Sequence, residues 1–115
     1  MSKYMLLIVG EPTNWSTLSP ERQQAGMEAY MAFSKKLREE GRHVDAEGLI
    51  DTAKSIRPGK TGPIVSDGPY VESKEIVGGY YIFTAESWEE ALEISQGCPA
   101  LQFGSGMELR RVMEY

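Results

Sequence analysis

Asp67-Gly68-Pro69 interrupts the chain shortly before its best strand, Gly79–Thr84, and this break constrains the fold more than any other local feature. Glycine reaches positive φ cheaply, and proline fixes its own φ and donates no N–H, so the tripeptide forms a turn. The turn does not need charge. Asp67, Glu72, Lys74 and Glu75 nevertheless all fall within Asp67–Glu75, followed by Gly78-Gly79 and the apolar Tyr80–Phe83. A ligand site and a solvated loop are the two explanations for those charges.

The elements on either side of the break follow from local signals. Tyr4–Val9 is an apolar run closed by Gly10-Glu11-Pro12, the pattern of a buried strand ended by a turn. Ser19-Pro20-Glu21 opens a helix: serine caps, proline is tolerated at the first position, and the acid suits the positive end of the dipole. Met27, Tyr30, Met31, Phe33, Ser34 and Leu37 give that helix an amphipathic stripe, and Gly41 ends it. Arg42–Ile50 and Thr52–Pro58 read as strands, and Gly59–Gly62 as the turn of a hairpin returning through Ile64-Val65. After Gly79–Thr84, Ser87 caps a second helix whose buried side is marked by Trp88, Ala91, Leu92 and Ile94-Ser95. Cys98–Leu101 forms its exit, and Gly106–Tyr115 alternates as a last strand.

The order predicts an α+β fold: a split βαβ arrangement with an extra β-hairpin, and an antiparallel sheet carrying two helices on one face. The other sheet face then has no cover within the chain. Such a face is usually buried against a second copy, so a symmetric homodimer is expected.

Bulk properties exclude several classes. A chain of 115 residues is a single domain on length, residues 1–115. A net charge of −5 argues against nucleic acid, which requires a basic surface. No apolar run approaches the roughly 20 residues of a membrane span, and no signal peptide is evident near Lys3. The single cysteine, Cys98, cannot form an internal disulfide, which fits a reducing cytoplasm.

DGPYVESKE with the following GGYYIF resembles the signature of the DGPF proteins, a branch of the YCII-related superfamily, with Tyr70 in place of phenylalanine. The resemblance extends through Arg38–Gly41, Glu47-Gly48-Leu49, Glu90-Ala91-Leu92 and Cys98-Pro99-Ala100, and so covers most of the chain. It implies a ferredoxin-like fold that dimerises face to face into a dimeric α/β barrel. The resemblance also implies a link to small hydrolases or lyases using an acid after the first strand and a histidine on the first helix. Here those positions hold Glu11 and Tyr30. A phenol of pKa near ~10 donates a hydrogen bond at neutral pH and is not a ready base, so that dyad is not carried over.

The candidate catalytic residues are therefore Glu11, Tyr30 and Asp67, with none firm. Arg57, Asp67, Glu72 and Lys74 are the candidate ligand-binding residues, in a pocket between helix and sheet or at the dimer seam. Asp67 also has a structural reading, because aspartate in such turns bonds its own backbone. His43, Asp45 and Glu47 at steps of two would line one strand face, but they would spread over ~13 Å, too far to chelate one ion. No metal and no cofactor are expected. Cys98 follows a helix C-terminus, where the dipole raises a thiol pKa and so disfavours a nucleophile. GKTG lacks the spacing of a phosphate loop, and no Gly-x-Ser-x-Gly occurs. Two functions follow: a small-molecule binding protein or minor hydrolase or lyase, or a non-catalytic regulatory or interaction module. The second is implied by the family's resemblance to domains found beside sigma-factor transcription systems.

Overall fold

A computed structural model describes residues 1–11, 15–70 and 75–115. The elements in chain order are β1 (Ser2–Gly10), α1 (Pro20–Glu39), β2 (His43–Gly48), β3 (Lys54–Pro58), β4 (Pro63–Asp67), β5 (Ile76–Ala85), α2 (Trp88–Gln96), a 3-10 helix (Pro99–Phe103) and β6 (Gly106–Arg111). The sheet runs in the order β2-β5-β1-β6 with every pairing antiparallel, while β3 and β4 form a separate two-stranded sheet. This is a mixed α+β chain consistent with the ferredoxin-like arrangement expected from the element order.

The caps lie where the sequence signals placed them. The Ser19 hydroxyl accepts from the Arg22 N–H at 3.1 Å, with Pro20 opening α1. Gly41 takes φ +71°, the left-handed conformation that lets the chain leave the helix. The Ser87 hydroxyl accepts from the Glu90 N–H at 3.1 Å and starts α2. Each such cap is worth about 1 kcal/mol.

Alternation along β1 and β5 builds the core. Tyr4 and Leu6 from β1 and Tyr81, Phe83 and Ala85 from β5 point the same way. They pack against Phe33 and Leu37 of α1, Ala91 of α2, and Cys98 and Ala100 beyond it. Tyr4 stacks on Phe83 with centroids 6.3 Å apart and meets the edge of Trp88 at 5.2 Å. Phe33 meets Tyr81 edge-on at 5.0 Å. Leu37 and Phe83 are fully buried, each burial contributing about 1.5–3 kcal/mol. The intervening residues Met5, Leu7, Tyr80 and Ile82 lie on the opposite face and are only half-buried.

Several expectations are corrected. Of the residues read as the buried side of α2, Ala91 and Ser95 are buried, but Trp88 and Leu92 are 47% and 53% exposed. Met27 and Met31 of the α1 stripe are likewise exposed. The helix packs on the core through Phe33 and Leu37, while Gly26 faces Trp15 and Phe103, which leaves the methionines to one side. The exit after Cys98 is helical, and β6 stops at Arg111 rather than running to Tyr115.

The largest correction concerns β2. A bulge between His43 and Asp45 sets His43 opposite Phe83, on the core side, and Asp45 opposite Ile82, on the other face. His43, Asp45 and Glu47 therefore do not share one face. Among the described residues, no group of three or more His, Cys, Asp or Glu side chains is placed to hold a metal ion. None of the described helices is long and apolar enough to cross a membrane.

Candidate functional site

Beyond the core stripe, α1 carries a second set of side chains on one flank. Met27, Tyr30, Met31 and Ser34 recur at three- and four-residue steps, which stacks them along the helix. They overlook the end of β1, the exit of β2 and the start of β5. A cleft of about 540 Å³ lies there, lined also by Glu11, Trp15, Ala46 to Asp51, and Ile76 with Gly78 to Tyr81. Its size falls in the range of small-molecule sites.

Glycines shape two of its walls. A Cβ on Gly26 would lie 2.7 Å from the Trp15 ring, so the indole rests on α1 where it has no side chain. A Cβ on Gly79 would lie 3.0 Å from the Glu47 carbonyl oxygen, so the bare strand lets β5 approach β2. The floor is hydrogen-bonded. The Ser34 hydroxyl donates to the Tyr81 hydroxyl at 3.3 Å, and Tyr81 donates to the Tyr30 carbonyl at 3.3 Å. At the β2 edge, the Tyr80 hydroxyl donates to Asp45 Oδ2 at 2.8 Å. That bond, first among the causes, raises the Tyr80 pKa above its ordinary 10.0.

Burial, reinforced by Cys98 and Tyr81, pushes the Tyr30 phenol above its ordinary 10.0, so it stays protonated near neutral pH. It can donate a hydrogen bond, but it cannot serve as a general base. Burial likewise raises the Cys98 thiol to about 11, which removes it as a nucleophile. The helix-dipole argument gave the right direction, but desolvation is the larger cause. His43 lies outside the cleft, with Nε2 buried and without a hydrogen-bond partner among the described residues.

The structure thus gathers two of the sequence candidates and separates the others. Glu11 and Tyr30 line the same cleft. Asp67 sits on the β3–β4 hairpin, exposed, and pairs with Lys54 across the two strands. An exposed pair of that kind contributes about 0–1 kcal/mol. Arg57, also on the hairpin, stacks its guanidinium over the Tyr70 ring 4.1 Å from the centroid. Neither residue lines the cleft. Glu72 and Lys74 lie outside the described residues. Sequence reasoning missed Trp15, Met27, Met31 and Asp51 as lining residues. The exposed methionines on a stripe that already had Phe33 and Leu37 for the core were the available signal.

A second cavity, of about 640 Å³, lies between α1 and α2. Three of its charged residues are tied together: Arg42 bonds Glu90 at 2.7 Å and Glu40 at 3.1 Å, and also the Thr84 carbonyl at 3.2 Å, while Lys36 and Glu93 complete the charged lining. With those groups committed to one another, it offers a ligand less than the cleft does.

The fold and cleft define a small α+β protein with a ligand-sized opening between its first helix and its sheet. The chain belongs to the YCII-related family, whose domain matches residues 2–115. An uncharacterised protein of Rhizobium meliloti (strain 1021) is 30% identical over 95 residues, covering 81% of this chain and 77% of that protein.

Proposed function

We propose that this protein, a DGPF-type member of its family, binds a small organic molecule in the cleft between α1 and the β1–β5–β2 edge, and works as a homodimer. The observation that carries the binding reading is the cleft itself: ligand-sized, mostly apolar, and lined by both Glu11 and Tyr30. The homodimer reading rests on Met5, Leu7 and Ile82, apolar residues on the sheet face away from both helices, which would pack against its copy as a dimeric α/β barrel with Glu108 and Arg110 beside them.

Any hydrolase or lyase activity would rely on a carboxylate, because the phenol of Tyr30 stays protonated. Arg57 and Asp67 act on the hairpin rather than in this cleft.

The test is a small-molecule binding screen by ligand-observed NMR on the native chain and on Met31→Trp, which fills the cleft from an exposed helix position. Hits should weaken by at least about tenfold in the variant, a loss of about 1.4 kcal/mol. Hits that bind the filled variant equally well place the site elsewhere. The competing role, a non-catalytic module of sigma-factor systems, predicts no cleft-dependent ligand at all.

A further inference from the structure

The charged residues lining the cleft are all acidic among the described residues: Glu11, Asp51 and Glu47, the last pairing with Tyr80 and so turning its side chain to the far face of the sheet. No described lysine, arginine or histidine joins them there. None of the three carboxylates makes an ion pair among the described residues, in contrast to Asp67, Glu40 and Glu90 elsewhere in the molecule. An anionic ligand would have to approach the like charges of Glu11 and Asp51 without a described counter-ion. That costs affinity unless the ligand is protonated.

The rest of the lining has the matching character. Trp15, Tyr30 and Tyr81 contribute aromatic rings, and Met27 and Met31 contribute thioethers, on a predominantly apolar surface. Aromatic faces attract cations through their quadrupole, most strongly where water is partly excluded. Methionine adapts its shape and favours contact with aromatic groups. The combination suits a positive head and an apolar body.

We infer that the cleft takes an organic cation: a protonated amine or quaternary ammonium group carrying an aromatic or alkyl body. The head sits toward the carboxylates of Glu11 and Asp51, and the body lies against Trp15 and the α1 methionines. The inference rests on the cleft being the binding site and adds the charge of what enters it.

The test uses three probes of matched shape: 2-phenylethylamine, 2-phenylethanol and phenylacetate. Each is titrated at neutral pH into the native chain, Glu11→Gln with Asp51→Asn, and Met31→Trp, by ligand-observed NMR. Glu11 and Asp51 are exposed, so their amides leave the core untouched. The amine should bind at least about tenfold more tightly than the alcohol, and more tightly still than phenylacetate. That preference should fall toward unity in the doubly amidated chain and weaken as salt screens the carboxylates. If alcohol or phenylacetate binds as well as the amine, and Met31→Trp blocks them, the cleft is a ligand site but the charge inference is overturned. Failure of all three to bind up to about 10 mM overturns this inference and leaves the screen above to decide on the cleft.

Discussion

Gly26→Ala sets two effects of opposite sign against each other. Glycine inside a helix is less favourable than alanine by about 1 kcal/mol, so α1 alone should gain from the change. The structure places a new Cβ 2.7 and 2.8 Å from Trp15 Cη2 and Cζ3. Carbon pairs prefer about 3.5–4.0 Å, so the rigid indole must move by roughly 1 Å. Trp15 is 39% exposed, so most of its surface is covered. With an indole burying on the order of 150 Å² at about 25 cal/mol per Å², its packing is worth about 4 kcal/mol, and losing half costs about 2. The clash should win, leaving Gly26→Ala destabilised by about 1 kcal/mol. In a Trp15→Ala background the clash is gone, and the same substitution should stabilise by about 1 kcal/mol. Urea unfolding of the four chains, followed by far-UV circular dichroism, measures a coupling of about 2 kcal/mol. Stabilisation by the same amount in both backgrounds would refute the packing of Trp15 on Gly26 and, with it, this wall of the cleft.

Other consequences are simpler to check. The Glu90 carboxyl is held below its ordinary 4.5, first by the Glu86 N–H and then by Arg42. A depressed carboxyl stabilises the fold above its unfolded pKa and stops doing so as pH falls through its folded value. Native protein should therefore lose thermal stability below pH 4.5 more steeply than Glu90→Gln, and parallel curves would contradict the contact. Cys98, buried and raised to about 11, should react with an aromatic disulfide reagent at about pH 8 at least ~100-fold more slowly when native than when unfolded. Sedimentation equilibrium should give twice the 12.8 kDa chain mass, and Leu7→Lys, on the sheet face away from the helices, should return the monomer. A native species of 12.8 kDa at micromolar concentration rules the dimer out.

Much of the fold was legible because its signals are local. Ser19 before Pro20, Gly41 after the α1 stripe, Ser87 before Trp88, and the glycines of GKTG each settle a cap or turn within a few residues. The errors arose where distant strands decide. The bulge that separates His43 from Asp45 depends on pairing with β5, and periodicity along β2 alone cannot reveal it. Trp88 and Leu92 are apolar and helically spaced, yet Trp88 meets Tyr4 only edge-on and both stay about half exposed, while the small residues Ala91 and Ser95 are buried. The site was legible in part. Glu11 and Tyr30 meet in one cleft, but Arg57 and Asp67 are carried away on a hairpin whose direction no local pattern specifies.

β1 lies between β5 and β6, so the first strand made is hydrogen-bonded on both sides to strands made near the end of the chain. Tyr4 pairs with Phe83 on one side and Arg111 on the other. β1 therefore gains its first neighbour in the sheet only once β5 has been made, and its apolar residues Leu6, Leu7 and Ile8 wait until then. Loop closures of that length slow folding relative to helical chains of equal size, while α1 and the hairpin can form early. β6 pairs along β1 and covers the far side of the sheet. Removing the last strand would leave β1 as an exposed edge, open to pairing with other chains.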